Sequence, residues 1–116
     1  MTSQQHTIPV DDSGEPTLTF SVTADPVSTI HLGGELDAAT GPAVGGVVEE
    51  QVAQGHLDLR LDVAGLTFVD LAGFDCLRDL HRRLCARGGG LRVHGYDRLF
   101  AEVARICGLD DLLDGG

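Results

Sequence analysis

The sequence contains no lysine and no tryptophan, and only 4% of its 116 residues are aromatic. Because rings are so scarce, aliphatic side chains must fill the core. The basic residues are 8 arginines, against 18 acidic residues, so the formal net charge is -10 at pH 7. Such a charge repels nucleic acid and anionic membrane surfaces, and neither is an expected partner. It fits a protein that is steered toward a basic partner.

Long apolar runs are also missing. No run approaches the roughly 20 residues that a membrane-spanning helix needs, and the opening MTSQQHTIPVDD lacks the basic and apolar regions of a signal peptide. The 3 cysteines, Cys76, Cys85 and Cys107, are odd in number and fall in helical patterns. This usage is typical of reduced, packed thiols and not of a disulfide framework. We therefore expect a cytoplasmic protein.

The length predicts a single domain. Residues 1–16 are polar, contain two prolines and show no periodicity, which predicts a flexible N-terminal tail followed by a domain over residues 17–116. Apolar residues alternate over 18–23, 27–32, 57–63 and 91–94, which predicts four strands. A turn at residues 24–26 should join the first two as an antiparallel hairpin.

Three helical patterns separate and follow these strands. The first begins near Pro42 and contains Gly45 and Gly46, where close packing on a neighbour would explain two weak helix formers. The last begins at Asp97, and its predicted core face consists of Leu99, Val103 and Ile106. Strands separated by helices pack as parallel neighbours. The fold class is therefore α/β, with a mixed four- to five-stranded sheet and helices mainly on one side.

The segment TFVDLAGFDCL, residues 67–77, indicates a strand that leads through a tight turn into a helix. Asp70 suits the N-cap, and a helix N-terminus favours a phosphate group or a docking partner. Yet no Ser, Thr, Tyr or His lies between Asp70 and Leu77, and Leu71 occupies the acceptor position. Two alternatives stay open: Leu71 could belong to the core, and Thr67 could be another acceptor or a packed strand residue.

Four pieces carry a family resemblance: GELD at 34–37, LRLDVAGLTFVD at 59–70, DLAGF at 70–74, and ARGGGLRVHG at 86–95 followed by RICGLDDLL. In this order they resemble the STAS domain of bacterial anti-sigma-factor antagonists, from about residue 17 onward. In that family the turn commonly reads Asp-Ser-Ser-Gly or Asp-Ser-Ala-Gly, and a partner that is both kinase and anti-sigma factor phosphorylates the first Ser. By position, Leu71 replaces this phosphoserine.

The resemblance implies a protein-binding module in bacterial transcription control that switches partners. Its implied partner is an anti-sigma factor with an ATPase or kinase fold, and ATP then belongs to that partner. We expect no cofactor, no metal and no catalytic residue, so the chain should not be an enzyme. The implied partner-binding residues are Asp37, Asp70, Leu71, Ala72, Gly73 and Phe74. Among them, Leu71 and Phe74 would present an apolar edge.

Other readings remain open at this point. The chain could be a STAS-like accessory subunit of a transporter or a signalling scaffold, or a small nucleotide-binding protein that uses the Asp70 turn. The sequence also leaves open whether the chain forms a homodimer. His81 and Cys85 have the spacing to share a metal ion, but two ligands do not make a site, and we expect Cys85 to be a packed thiol.

Overall fold

The computed structural model describes residues 3–10, 16–23 and 27–114. It contains five strands, which are β1 (Ser3–Val10), β2 (Pro16–Thr23), β3 (Thr29–Leu36), β4 (Asp58–Val69) and β5 (Gly90–His94). Its α-helices are α1 (Gly41–Ala53), α2 (Leu71–Ala86) and α3 (Arg98–Ile106), and a short 3-10 helix follows at Asp110–Leu112. Among the described residues, no helix combines the length and hydrophobicity that crossing a membrane requires.

The strands form one mixed sheet in the order β1-β2-β3-β4-β5. The first two pairings are antiparallel, while β3–β4 and β4–β5 are parallel. The parallel strands are connected through α1 and α2, as expected for strands separated by helices. The predicted α/β class with a mixed four- to five-stranded sheet is confirmed.

One face of the sheet is buried and the other is not. Alternate residues such as Ile30 and Leu32 in β3, or Leu59 and Leu61 in β4, are at most 3% exposed, and they meet apolar residues of α1 and α2 such as Val44 and Leu77. Residues between them on the strands are half-buried or exposed. The helices therefore cover one side of the sheet, and the core is largely aliphatic, as predicted.

The structure differs from the predicted flexible tail. Ser3–Val10 forms edge strand β1 and pairs with β2 from Ser3↔Thr23 to Val10↔Pro16. Prolines argue against a central strand, but an edge strand tolerates them because one row of its N–H groups needs no partner. The polar composition of these residues therefore did not predict that they pair as a strand. The rest of the predicted tail (residues 1, 2 and 11–15) and the predicted turn at 24–26 lie outside the described residues.

Two predictions about helix faces are wrong. In α3, Leu99 is 67% exposed and Ile106 is 83% exposed, whereas Ala101 and Ala104 are buried. Of the predicted core face, only Val103 packs against the core. The helix carries apolar residues on two sides, and only its packing on the sheet decides which side is covered. In α1, a Cβ added at Gly46 would meet nothing within 4 Å, and one added at Gly45 would lie at an ordinary 3.9 Å from Cδ2 of Leu80, so close packing explains neither glycine.

Candidate partner-binding site

The predicted site lies at the edge where β3 and β4 end. These strands are parallel, and Leu36 pairs with Val69 at their carboxyl ends. The N–H of Asp70 also donates to the carbonyl of Leu36, with an N–O distance of 3.3 Å. Asp37 and Asp70, each one residue beyond its strand, therefore lie at the same edge of the sheet. We call this region, with the first turn of α2, the docking edge.

Asp70 caps α2. Its backbone is extended (φ -105, ψ -176), and its Oδ1 accepts a hydrogen bond from the N–H of Gly73 at 2.9 Å. The carboxylate thereby satisfies one of the free donors at the helix start and interacts favourably with the helix dipole. The predicted N-cap is confirmed.

Leu71 is the first residue of α2 and is 66% exposed. The alternative that it belongs to the core is therefore wrong. Phe68, two residues before Asp70, is 49% exposed. An alkyl and an aryl side chain thus flank the cap, at the point where a phosphorylated residue would meet the partial positive charge of the helix N-terminus.

Phe74 does not contribute to this surface. It is only 3% exposed, and its ring centroid lies 4.9 Å from that of Phe100 in the core. The prediction that Phe74 presents an apolar edge is wrong, because the fourth residue of α2 faces the sheet. Phe68 takes that place instead. The alternation that turns Leu59, Leu61 and Val63 inward already places Phe68 on the outer face of β4, so this pattern could have found it.

Gly73 is also internal. A Cβ at this position would lie 2.5 Å from the carbonyl oxygen of Leu36 and 2.9 Å from Cγ1 of Val69. The glycine therefore lets α2 approach the end of β3 closely, and it leaves no backbone uncovered for a partner. Ala72 is half-buried and lines the groove between α1 and α2.

Asp37 organises the turn before α1. Its Oδ1 accepts hydrogen bonds from the N–H groups of Ala39 and Thr40, both at 3.0 Å. The hydroxyl of Thr40 donates to the carbonyl of Glu35 at 2.9 Å, so Thr40 occupies the N-cap position without capping α1 through its side chain. The segment LDAATGP predicts that Asp37 and Thr40 cap α1, but neither side chain accepts a hydrogen bond from an N–H group within the helix, so this prediction is wrong.

An acidic groove runs from the docking edge between α1 and α2. It has a volume of about 600 Å³, and Asp37, Glu49, Asp75 and Asp79 line it with a single cation, Arg83. Two of the carboxylates have partners elsewhere, since Asp75 pairs with an arginine at 2.8 Å and Glu49 with another at 3.7 Å. With these two arginines and Arg83 counted, the four carboxylates leave an excess of one negative charge, which favours a basic surface over an acidic one on this side of the docking edge.

Thr67 is exposed, and its hydroxyl donates to the carbonyl of Gly34 at 3.2 Å. The expectation that this strand residue is packed is therefore wrong. Its hydroxyl is engaged with the neighbouring strand and lies outside the helix start, so it does not occupy the position of a phosphorylated residue in the first turn of α2. Its use as an alternative acceptor stays a prediction.

His81 and Cys85 are close together, with the Nε2 atom 3.4 Å from the sulfur. The N–H of Leu91 donates to Nδ1 of His81 at 3.1 Å, so in the neutral ring Nε2 carries the proton and faces the thiol. In the part of the chain that the structure describes, no three metal-ligating side chains cluster. Cys85 is exposed, which corrects the expectation of a packed thiol.

The open face of the sheet carries a network that the sequence did not predict. His31 joins Thr23 Oγ1 and Asp62 Oδ2, each at 2.8 Å. Burial would raise the pKa of Asp62, but the N–H of Ala64, the ring of His31 and the positive potential of His31 and His94 together hold that pKa below its ordinary value. These residues lie on adjacent strands, and only strand register could have revealed the contact.

Comparisons with known proteins identify the family of this chain. A family model described as "Mlab, STAS domain" matches residues 20–114. A Mycobacterium tuberculosis protein named as an anti-anti-sigma factor is 31% identical over 109 residues, which cover 90% of this chain and 74% of the relative. The anti-sigma-B factor antagonist of Listeria monocytogenes is 30% identical over 86 residues, which cover 73% of this chain and 75% of the relative.

A solved structure shows the same fold. The crystal structure of an anti-sigma factor antagonist from Mycobacterium paratuberculosis has a TM-score of 0.72 and 24% sequence identity, and the match covers 85% of this chain and 86% of that one. The motifs, the mixed sheet with helices on one side, and the family model all lead to one conclusion. This chain belongs to the STAS domain family, among the anti-sigma-factor antagonists that its sequence resembles.

Proposed function

We propose that this protein is an anti-sigma-factor antagonist that binds a kinase-type anti-sigma factor through the docking edge and lacks the phosphorylation switch. Its role is binding and not catalysis, and it acts in the cytoplasm. Its named relatives are an anti-anti-sigma factor and an anti-sigma-B factor antagonist, which supports the role. The observation that carries the missing switch is the exposed Leu71 in the first turn of α2.

The chemistry of the docking edge supports both halves of this proposal. A phosphate would add about 1.5 to 2 negative charges at the helix start, next to a surface that already carries Asp37 and Asp75. Leu71 has no hydroxyl and cannot receive this group. Its exposed alkyl side chain and the aryl side chain of Phe68 can instead be buried against a partner, and the acidic groove beside them favours a basic surface.

Binding tests the docking edge directly. A kinase-type anti-sigma factor from the source organism would be titrated with wild-type protein and with Leu71→Glu by calorimetry. We expect the substitution to weaken binding at least about tenfold, because it replaces buried apolar area with a charge. Val27→Glu is the matched control, since Val27 is 40% exposed and precedes β3 at the opposite end of the sheet. Equal weakening by both variants would contradict the assignment of the docking edge.

Phosphorylation tests the missing switch. With the same anti-sigma factor and ATP, Leu71→Ser should incorporate phosphate and then dissociate, while the wild-type chain should incorporate none. Asp70→Ala in the Leu71→Ser background would show whether the cap positions the new hydroxyl. Phosphate on the wild-type chain would refute the proposal, and peptide mapping would then show whether Thr67 receives it.

The alternatives from the sequence stay predictions. A transporter accessory subunit or scaffold would bind no kinase-type anti-sigma factor in the titration. A small nucleotide-binding protein would be stabilised by a nucleotide alone in a thermal-shift scan.

A further inference from the structure

Helix α3 carries an apolar stripe on its solvent side. The stripe consists of Leu99, Val103 and Ile106, at spacings of four and three residues, which places them on one face of the helix. Leu99 is 67% exposed and Ile106 is 83% exposed, while Val103 between them is half-buried and also packs against the core. Large apolar side chains that share one exposed face mark an interaction surface more often than isolated ones do.

An apolar groove adjoins one end of this stripe. It has a volume of about 240 Å³ and lies between the carboxyl end of β4 and the start of α3, where Leu66, Phe68, Tyr96, Leu99 and Val103 line it. Ile106 lies outside the groove, seven residues beyond Leu99 and about 10 Å further along the helix. The same face of the molecule thus presents a protruding side chain at one end of α3 and a recess at the other.

We propose that this face binds a second copy of the chain, with the two α3 helices antiparallel across a two-fold axis. A two-fold axis between Glu102 and Val103 brings the start of one α3 beside the end of the other. Ile106 of each copy then reaches the groove of the other copy. The two-fold axis therefore forms the same contact twice. Such self-complementarity is what an isologous interface requires.

The charges beside the stripe fit this arrangement. Arg98 and Glu102 pair within the helix at 3.3 Å, while Arg105 has no ion pair among the described residues. In the antiparallel arrangement, Glu102 of one copy and Arg105 of the other are offset by two residues, or about 3 Å along the helix axis. Each copy would therefore bring Glu102, which it shares with its own Arg98, within reach of the unpaired Arg105 of the other copy. The inference needs only a second copy and does not rest on the proposed function. Both proposals use Phe68, so the dimer and the anti-sigma factor would compete for this side chain.

Sedimentation equilibrium of the full chain over a concentration series tests the interface. We expect a monomer–dimer equilibrium for the wild type, and a dissociation constant at least about tenfold higher for Ile106→Glu. Val27→Glu is again the control, because it adds the same charge at an exposed apolar residue away from α3. Circular dichroism melts of each variant show that a loss of dimer is not a loss of fold, since Ile106 and Val27 are both exposed in the monomer.

A charge swap tests the orientation of the helices. Arg105→Glu should weaken the dimer, and Glu102→Arg combined with Arg105→Glu should restore it, because the pair across the two-fold axis is re-formed with opposite signs. A wild type that stays monomeric throughout the series would overturn the proposal, as would a dimer that Ile106→Glu leaves intact. Failure of the double variant to recover would refute the antiparallel arrangement. If the wild type is monomeric and Ile106→Glu instead weakens binding of the anti-sigma factor, the stripe belongs to that partner.

Discussion

Alanine at Gly73 should destabilise the protein, although alanine is the better helix former. The substitution would place a Cβ 2.5 Å from the carbonyl oxygen of Leu36 and 2.9 Å from Cγ1 of Val69, both far inside van der Waals contact. The valine can change rotamer. The carbonyl cannot move easily, because it belongs to strand β3 and accepts the N–H of Asp70.

The magnitude follows from two opposing contributions. Overpacking costs about 1–3 kcal/mol, and we take the upper half of that range because the obstacle is backbone. Replacing glycine in a helix gains at most about 1 kcal/mol. The net expectation is a loss of about 2 kcal/mol, which lowers the Tm of a domain of this size by roughly 8–12 °C.

Gly46 provides the matched control. It lies inside α1, it is exposed, and a Cβ there would meet nothing within 4 Å. Gly46→Ala should therefore raise the free energy of unfolding by about 1 kcal/mol. Urea unfolding of both variants measures the two signs directly. If Gly73→Ala is as stable as the wild type, α2 does not approach β3 as closely as described, and the geometry of the docking edge is wrong.

Two further outcomes concern the core and the open face of the sheet. Phe74→Ala should lower the free energy of unfolding by about 3–5 kcal/mol, because it leaves a cavity beside Phe100 in the core. A loss under about 1 kcal/mol in urea unfolding would contradict the burial of Phe74. The folded-state pKa of Asp62 is lowered, so its carboxylate stabilises the fold above its unfolded pKa, and this contribution is lost as the pH falls from about 4 through the folded pKa. Urea unfolding should therefore show that the stability difference between wild type and Asp62→Asn becomes smaller below about pH 4. A stability difference that does not change with pH would contradict the His31–Asp62 contact.

Much of the fold could be predicted from local sequence patterns, and the structure confirms those patterns. Alternation placed Leu59 and Leu61 on the inner face of a strand, and Asp70 was identified as an N-cap because its side chain meets a donor only three residues away. Each of these contacts lies within one strand or one turn, and its spacing can be read along the chain.

Contacts between separate strands and helices could not be predicted from the sequence. Whether Phe74 reaches the surface depends on how α2 packs against the sheet and α3, and no spacing along the chain reveals its contact with Phe100. The same holds for the pairing of Ser3–Val10, because backbone hydrogen bonds along an edge strand need no particular side chains.

The sequence by itself determined the family, the order of most strands and helices, and the absence of a hydroxyl at Leu71, because these depend on residue identity and short spacings. Only the tertiary structure decided that Leu71 is exposed while Gly73 and Phe74 are buried, and that α3 turns Leu99 and Ile106 to solvent. A helix with apolar residues on two sides can bury either one. The choice belongs to the packing of the whole chain, since it depends on which side meets the sheet.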